Sequence, residues 1–155
     1  GASNEAPFLF MLVSKQEIDI FYKGISYFNA NKYEEAHRSW ELLWKKIGNN
    51  QRRLGLKVFL QLTGMHQNCV LNKWDSVRYL IKTSTRLLKE NRSILEAYIE
   101  VKSIDCFLEI YSDKKITLKV LDELIIKRNG VEFTKTSELN ERLPLPHTKG
   151  TKPAP

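Results

Sequence analysis

No apolar run in this chain approaches the ~20 residues that a membrane-spanning helix requires. The longest, Phe8-Leu9-Phe10-Met11-Leu12-Val13, is too short to span and lacks the flanks of an intact signal peptide. It reads as a docked N-terminal arm, and membrane insertion is not expected. Cysteine is scarce as well: there are 2 in 155 residues, without CxxC spacing. That excludes a disulfide framework and argues against a zinc site. Cys69 and Cys106 fall on expected core stripes, where a thiol behaves as a small hydrophobe. A reducing compartment follows as the expectation, cytoplasm or an organellar stroma or matrix. There is no glycine-rich phosphate loop, and neither Ser26 nor Ser39 has the surroundings of a nucleophile elbow.

Positive charge is what the chain has in excess, with a net charge of +7. The cations come as scattered doublets, Lys45-Lys46, Arg52-Arg53, Lys114-Lys115 and Lys127-Arg128, with acidic residues between them. No motif for DNA or RNA recognition accompanies them. Cations in a last helical turn also complement the helix dipole, which accounts for Lys45, Lys46, Lys127 and Arg128 without a ligand. Non-specific nucleic-acid binding requires Lys45, Lys46, Arg52, Arg53 and Lys57 to share one continuous face, and charge alone is weak evidence for it.

The length suits one globular domain with a substantial core. Residues 1–13 read as an arm, 14–129 as a helical domain and 130–155 as an extended tail. Ser14-Lys15-Gln16-Glu17 is a capping box, followed by a helical stripe of Ile18, Phe21, Tyr22, Ile25 and Phe28. A second helix runs from about Lys32 to Ile47, and Gly48-Asn49-Asn50 tolerates the left-handed backbone of a helix end. The third helix carries Leu54, Val58, Gln61, Leu62, Met65 and Cys69, and the fourth starts near Trp74. Ser93-Ile94-Leu95-Glu96 reads as a second capping box opening a helix through Tyr98, Val101, Ile104, Leu108 and Tyr111. A sixth helix is expected over about Thr117 to Lys127, with Val120, Leu121, Leu124 and Ile125 inward. Beyond Gly130, a brief extended stretch at Val131–Thr134 and an extended Leu143-Pro144-Leu145-Pro146 are expected. The fold class is all-α, a single-domain bundle of about six helices with extended terminal tails.

One apolar stripe of the second helix holds an ionisable group. Tyr33, Ala36, His37, Trp40, Leu43, Trp44 and Ile47 share a helical face, and Glu41 lies one turn beyond His37. The functional reading makes His37 a general base oriented by Glu41, or makes the pair two metal ligands. A zinc site wants three or four protein ligands, and only these two are placed, so no metal and no cofactor are expected. The structural reading is a buried hydrogen-bonded cluster that locks the second helix to the third, with Gln61 approaching from the latter and Glu35 pointing elsewhere. That reading is favoured, because a buried imidazole needs partners whatever its role. Trp40 and Trp44 read as core.

Asn31-Lys32-Tyr33-Glu34-Glu35-Ala36 recurs as Asn72-Lys73-Trp74-Asp75-Ser76-Val77, each at a helix junction. The first copy fits a tetratricopeptide pattern, with Gly24, Tyr27, Ala36 and Trp40 at its small and aromatic positions, but there is no convincing third copy. Phe28-Asn29, Tyr33, Glu35-Ala36-His37, Glu41 and Trp44, followed by Leu60-Gln61-Leu62, resemble the family catalogued as domain of unknown function 309. The resemblance extends from about Gln16 to Leu88 and implies a small helical protein without an established activity. Arg38 stands where that family commonly has a second glutamate. Asn68 takes the position of its downstream histidine, with His66 off that register, which implies a depleted polar group.

The leading functional expectation is a non-enzymatic helical module that binds other protein chains, as a small subunit of a larger assembly. Phe8 and Phe10 in the apolar arm and Leu143, Pro144 and Pro146 in the tail are its candidate contact residues. A small hydrolase or metal-dependent enzyme built on His37 and Glu41 is the alternative, and nucleic-acid binding is the third reading.

Overall fold

The computed structural model describes residues 10–129. They form an all-α domain of seven helices in the order α1 (Lys15–Asn29), α2 (Tyr33–Ile47), α3 (Asn50–Val70), α4 (Trp74–Glu90), α5 (Arg92–Leu95), α6 (Val101–Ile110) and α7 (Leu118–Asp122). α1 packs on α2, α2 on α3 and α3 on α4, so the first four helices form two consecutive hairpins; α6 then packs on α4 and α7 on α3.

The start of α1 is set by its cap. Ser14 Oγ accepts from the Glu17 amide at 3.1 Å, as the capping box requires, but the Glu17 carboxylate reaches one residue further back and accepts from the Val13 amide at 2.9 Å. Glu17 is buried and also receives the Arg52 guanidinium, whose Nε donates to the Met11 carbonyl at 3.1 Å. This network holds the arm's inner end on the domain. Met11 and Leu12 are buried in the core, and the Leu12 amide donates to the Tyr98 hydroxyl at 3.2 Å. The domain therefore begins several residues before its first helix, and this part of the arm orders against its own chain.

The two hairpins turn in the same way. Asn31 and Asn72 are both left-handed, with φ of 63° and 58°. Each turn is closed by paired backbone bonds, Asn31 to Phe28 and Lys32 to Tyr27 in the first, Asn72 to Cys69 and Lys73 to Asn68 in the second. Asparagine tolerates that backbone region better than other residues with a Cβ, so both junctions are encoded locally.

Inside the first hairpin, Gly24 lets α2 approach α1 closely: a Cβ there would overlap the Trp40 indole. The indole is fully buried, donates from Nε1 to the Phe21 carbonyl at 3.1 Å, and lies 5.3 Å from the Phe59 ring centroid. Phe21 meets Phe59 edge-on at 5.1 Å, so one aromatic cluster ties α1, α2 and α3 together.

Three expectations change beyond α4. The Ser93–Glu96 box does not open a long helix, because α5 ends at Leu95 and α6 starts afresh at Val101. Between them Tyr98 to Glu100 make tertiary bonds, with Tyr22 Oη donating to the Tyr98 carbonyl at 2.8 Å and Ile99 bridging Arg128. The expected sixth helix shrinks to Leu118–Asp122, and residues 124–127 are not helical. Cys69 is buried as expected, whereas Cys106 is exposed because the inward stripe of α6 is Val101, Ile104, Phe107 and Leu108. Leu54 and Ile125, both read as inward, are also exposed.

Candidate functional site

α2 carries the expected polar group on the edge of its buried stripe. Tyr33, Ala36, Trp40, Leu43 and Ile47 are buried, while the His37 side chain keeps 36% of its surface exposed. His37 is thus half-buried rather than enclosed as expected. Its Nδ1 lies 2.7 Å from Thr63 Oγ1 on α3, and its Nε2 lies 3.4 Å from Glu41 Oε2. The Thr63 hydroxyl also has the Leu60 carbonyl in reach at 2.9 Å, so Nδ1 either donates to Thr63 Oγ1 or accepts from it, according to the tautomer of the ring. A proton on Nε2 faces the Glu41 carboxylate, and the neutral ring that carries it there leaves Nδ1 to accept from Thr63.

Thr63 is buried, and its hydroxyl lies within hydrogen-bond distance of both the Leu60 carbonyl and the imidazole. The contact joins α2 to α3 through Thr63 rather than the expected Gln61.

Gln61 faces the other way. Its Oε1 accepts from Ser84 Oγ at 2.7 Å and from Thr83 Oγ1 at 3.1 Å, linking α3 to α4. The Glu35 charge acts on Tyr27, whose phenol is raised first by burial and second by Glu35, with Arg38 opposing. Trp44 is half-buried under the Arg53 guanidinium, 4.9 Å from the ring centroid, and Arg53 Nε donates to the Trp44 carbonyl at 2.9 Å. The five residues singled out from sequence thus divide among four separate interactions. Asn68 is likewise occupied within its own helix, donating to the Gly64 carbonyl at 2.8 Å.

The sequence reading missed a second polar group. Tyr33 Oη donates to Asp122 Oδ1 at 2.6 Å and lies 3.2 Å from Asn31 Oδ1, while its ring stacks on His66 with centroids 4.2 Å apart. Burial, then the hydrogen bond to the Asp122 carboxylate, raises the Tyr33 phenol well above its usual range. Burial lowers the half-buried His66, with Asp122 and Glu34 pulling the other way. The 89 residues between Tyr33 and Asp122 left no local signal for this contact.

Among the described residues, no group of three or more His, Cys, Asp or Glu side chains is placed to hold a metal ion. No described helix is long and apolar enough to cross a membrane. Of the five cations proposed as a basic face, Arg52 is taken into the Glu17 contact and Arg53 into the Trp44 contact, leaving Lys45, Lys46 and Lys57 exposed. Phe10 is 57% exposed; Phe8, Leu143, Pro144, Pro146 and the expected stretch at Val131–Thr134 lie outside the described residues. No known protein family, curated protein or solved structure matches this chain.

Proposed function

We propose that this chain is a non-enzymatic, helical protein-interaction module, with a tetratricopeptide-like first hairpin and distantly related to the domain of unknown function 309 proteins, that serves as a small subunit of a larger assembly in a reducing compartment. The observation that carries the reading is the N-terminal stretch. Met11 and Leu12 are anchored in the core while their neighbours Phe10 and Val13 stay 57% and 63% exposed. Large apolar side chains held in water on a fixed backbone favour burial against another chain, at about 25 cal/mol per Å2 of apolar area covered. The polar group adds indirect support, since His37, Thr63 and Gln61 are each engaged between helices. The enzymatic alternative needs a reacting group at His37 Nε2, the atom that faces Glu41.

The test compares the wild-type chain with a Phe10→Ser, Val13→Ser variant in affinity capture from an extract of the native organism. A discrete protein retained by the wild type and lost from a variant of unchanged helicity and melting is the expected result. Equal capture by both, or no stable partner for either, overturns the reading.

A further inference from the structure

Residues 124–129 are held by the rest of the domain as an extended peptide is held by a receptor. Asn29, at the end of α1, donates from Nδ2 to the Ile126 carbonyl at 2.8 Å, and the Ile126 amide donates to Asn29 Oδ1 at 2.9 Å. A carboxamide that closes both bonds to one residue reads extended backbone whatever side chain that residue carries. On the same segment, the Glu100 amide donates to the Lys127 carbonyl at 2.8 Å, and Ile99 forms an antiparallel bridge with Arg128.

Side chains supply selectivity in alternation. Leu124 and Ile126 are buried while Ile125 between them is 41% exposed, the period of a strand lying on an apolar surface. The Arg128 guanidinium then sits 4.8 Å over the Tyr22 ring, giving a seat for a cation two residues after the second aliphatic. Backbone bonds for affinity and alternate side chains for specificity are the ingredients of strand-type peptide recognition.

We propose that the groove between α1 and the α5–α6 connection is a docking site for an extended segment of a partner protein, with branched aliphatic residues two apart followed by basic residues, and that residues 124–129 occupy it in the free chain. Two features make the occupant exchangeable. The bonds from Asn29 and Glu100 go to its backbone, so any extended segment reproduces them, while the Asn129 side chain adds one of its own, donating from Nδ2 to the Glu96 carbonyl at 2.6 Å. A cleft of about 530 Å3 also lies open between residues 125–128 and the α1 side chains Ile25, Ser26, Asn29 and Ala30, so a partner residue larger than Ile125 finds room there. The inference rests on the interaction-module reading but places recognition on a different face from Phe10 and Val13.

The experiment uses the full chain and a fluorescent synthetic peptide of residues 123–129, followed by anisotropy. The attached segment competes at a local concentration on the order of millimolar, so the wild type should bind the free peptide weakly. Ile126→Asp in the full chain expels its own segment and should tighten binding at least ~10-fold, the competitor being removed. Adding Asn29→Ala to that variant should abolish the gain, and a peptide with Asp at both aliphatic positions should not bind. No gain by a folded Ile126→Asp chain, or a gain indifferent to Asn29, overturns the proposal. If Ile126→Asp does not fold, the wild type is titrated to millimolar peptide and followed by NMR. Shifts at the Asn29 side-chain amide and at Ile99 support the site, and their absence overturns it. Peptide-sensitive dimers formed by exchange of this segment would overturn the partner assignment in favour of a second copy. Loss of capture through Phe10 and Val13 with peptide binding intact would sink only the reading of the N-terminal face.

Discussion

Tyr33 and His66 stack face to face, and their environments oppose ionisation of both rings from opposite ends of the pH scale. Burial lowers His66 from the ordinary 6.5, so as pH falls through that value the unfolded chain takes up a proton that the folded chain resists. Stability contributed at this site is therefore complete above 6.5 and is lost on acidification below it. Tyr33 acts in the opposite sense: above the ordinary phenol value of 10.0 the unfolded chain releases a proton that the folded chain keeps, so stability is lost as pH rises. Denaturant unfolding across pH should give a plateau with shoulders at both ends. His66→Gln should flatten the acid shoulder just below 6.5, and Tyr33→Phe should reduce the alkaline one, where Tyr27 and Cys69, also raised, continue to contribute. An acid slope identical in wild type and His66→Gln would refute the assignment.

The paired turns show how far local chemistry carries at the level of elements. Asn31-Lys32 and Asn72-Lys73 were visible as a repeat, and the structure gives both the same left-handed asparagine and the same pair of closing bonds. Asn31→Ala and Asn72→Ala should each destabilise by ~1 kcal/mol, because a Cβ without the asparagine amide is strained in that region. The first should cost slightly more, since Asn31 Oδ1 also meets the Tyr33 hydroxyl. Glycine at Asn72 should be tolerated within a few tenths of a kcal/mol, and at Asn31 should cost only the lost Tyr33 contact. Chemical denaturation of the four variants decides this, and glycine variants as damaged as the alanine ones would show that the turns do not depend on backbone conformation. Local chemistry failed where distant groups claimed the backbone. Ser93–Glu96 carries a capping pattern, yet Tyr98 to Glu100 leave the helix for bonds to Tyr22, Lys127 and Asn129. Leu124-Ile125-Ile126-Lys127 fits a helix stripe or a strand alternation equally well over four residues, and Asn29 decides for the latter.

For the molecule as a whole, the decisive long-range link is the one that closes the N-terminal stretch onto the domain. Glu17 on α1, Arg52 on α3 and the Met11 carbonyl meet in a partly buried network, and Leu12 reaches Tyr98 beyond α5. Removing one member of such a pair leaves the other charge buried, so Arg52→Ala should cost ~3 kcal/mol or more. Hydrogen exchange gives the sharper readout. In the isolated wild type the Leu12 and Val13 amides, bonded to Tyr98 and Glu17, should be protected, and in Arg52→Ala both should exchange far faster while the core of α1 stays slow. Fast exchange at Leu12 in the wild type would mean that the stretch is not part of the domain.

Periodicity and punctuation alone determined the all-α class, the starts of α1, α2 and α4, the repeated turns and the inward stripe of α2. Each depends on neighbours within a turn or two of helix, where 3.6-residue spacing, caps and left-handed asparagines act directly. Only the tertiary structure decided which polar groups meet. His37 was legible as an anomaly on an apolar face, but its partner was not, because Gln61 and Thr63 lie on the same helix two residues apart and face different neighbours. The pairs Glu17–Arg52, Tyr33–Asp122 and Asn29–Ile126 are separated by 35, 89 and 97 residues. Nothing in the spacing of such groups marks them as partners, since what unites them is the packing of helices that each encodes separately.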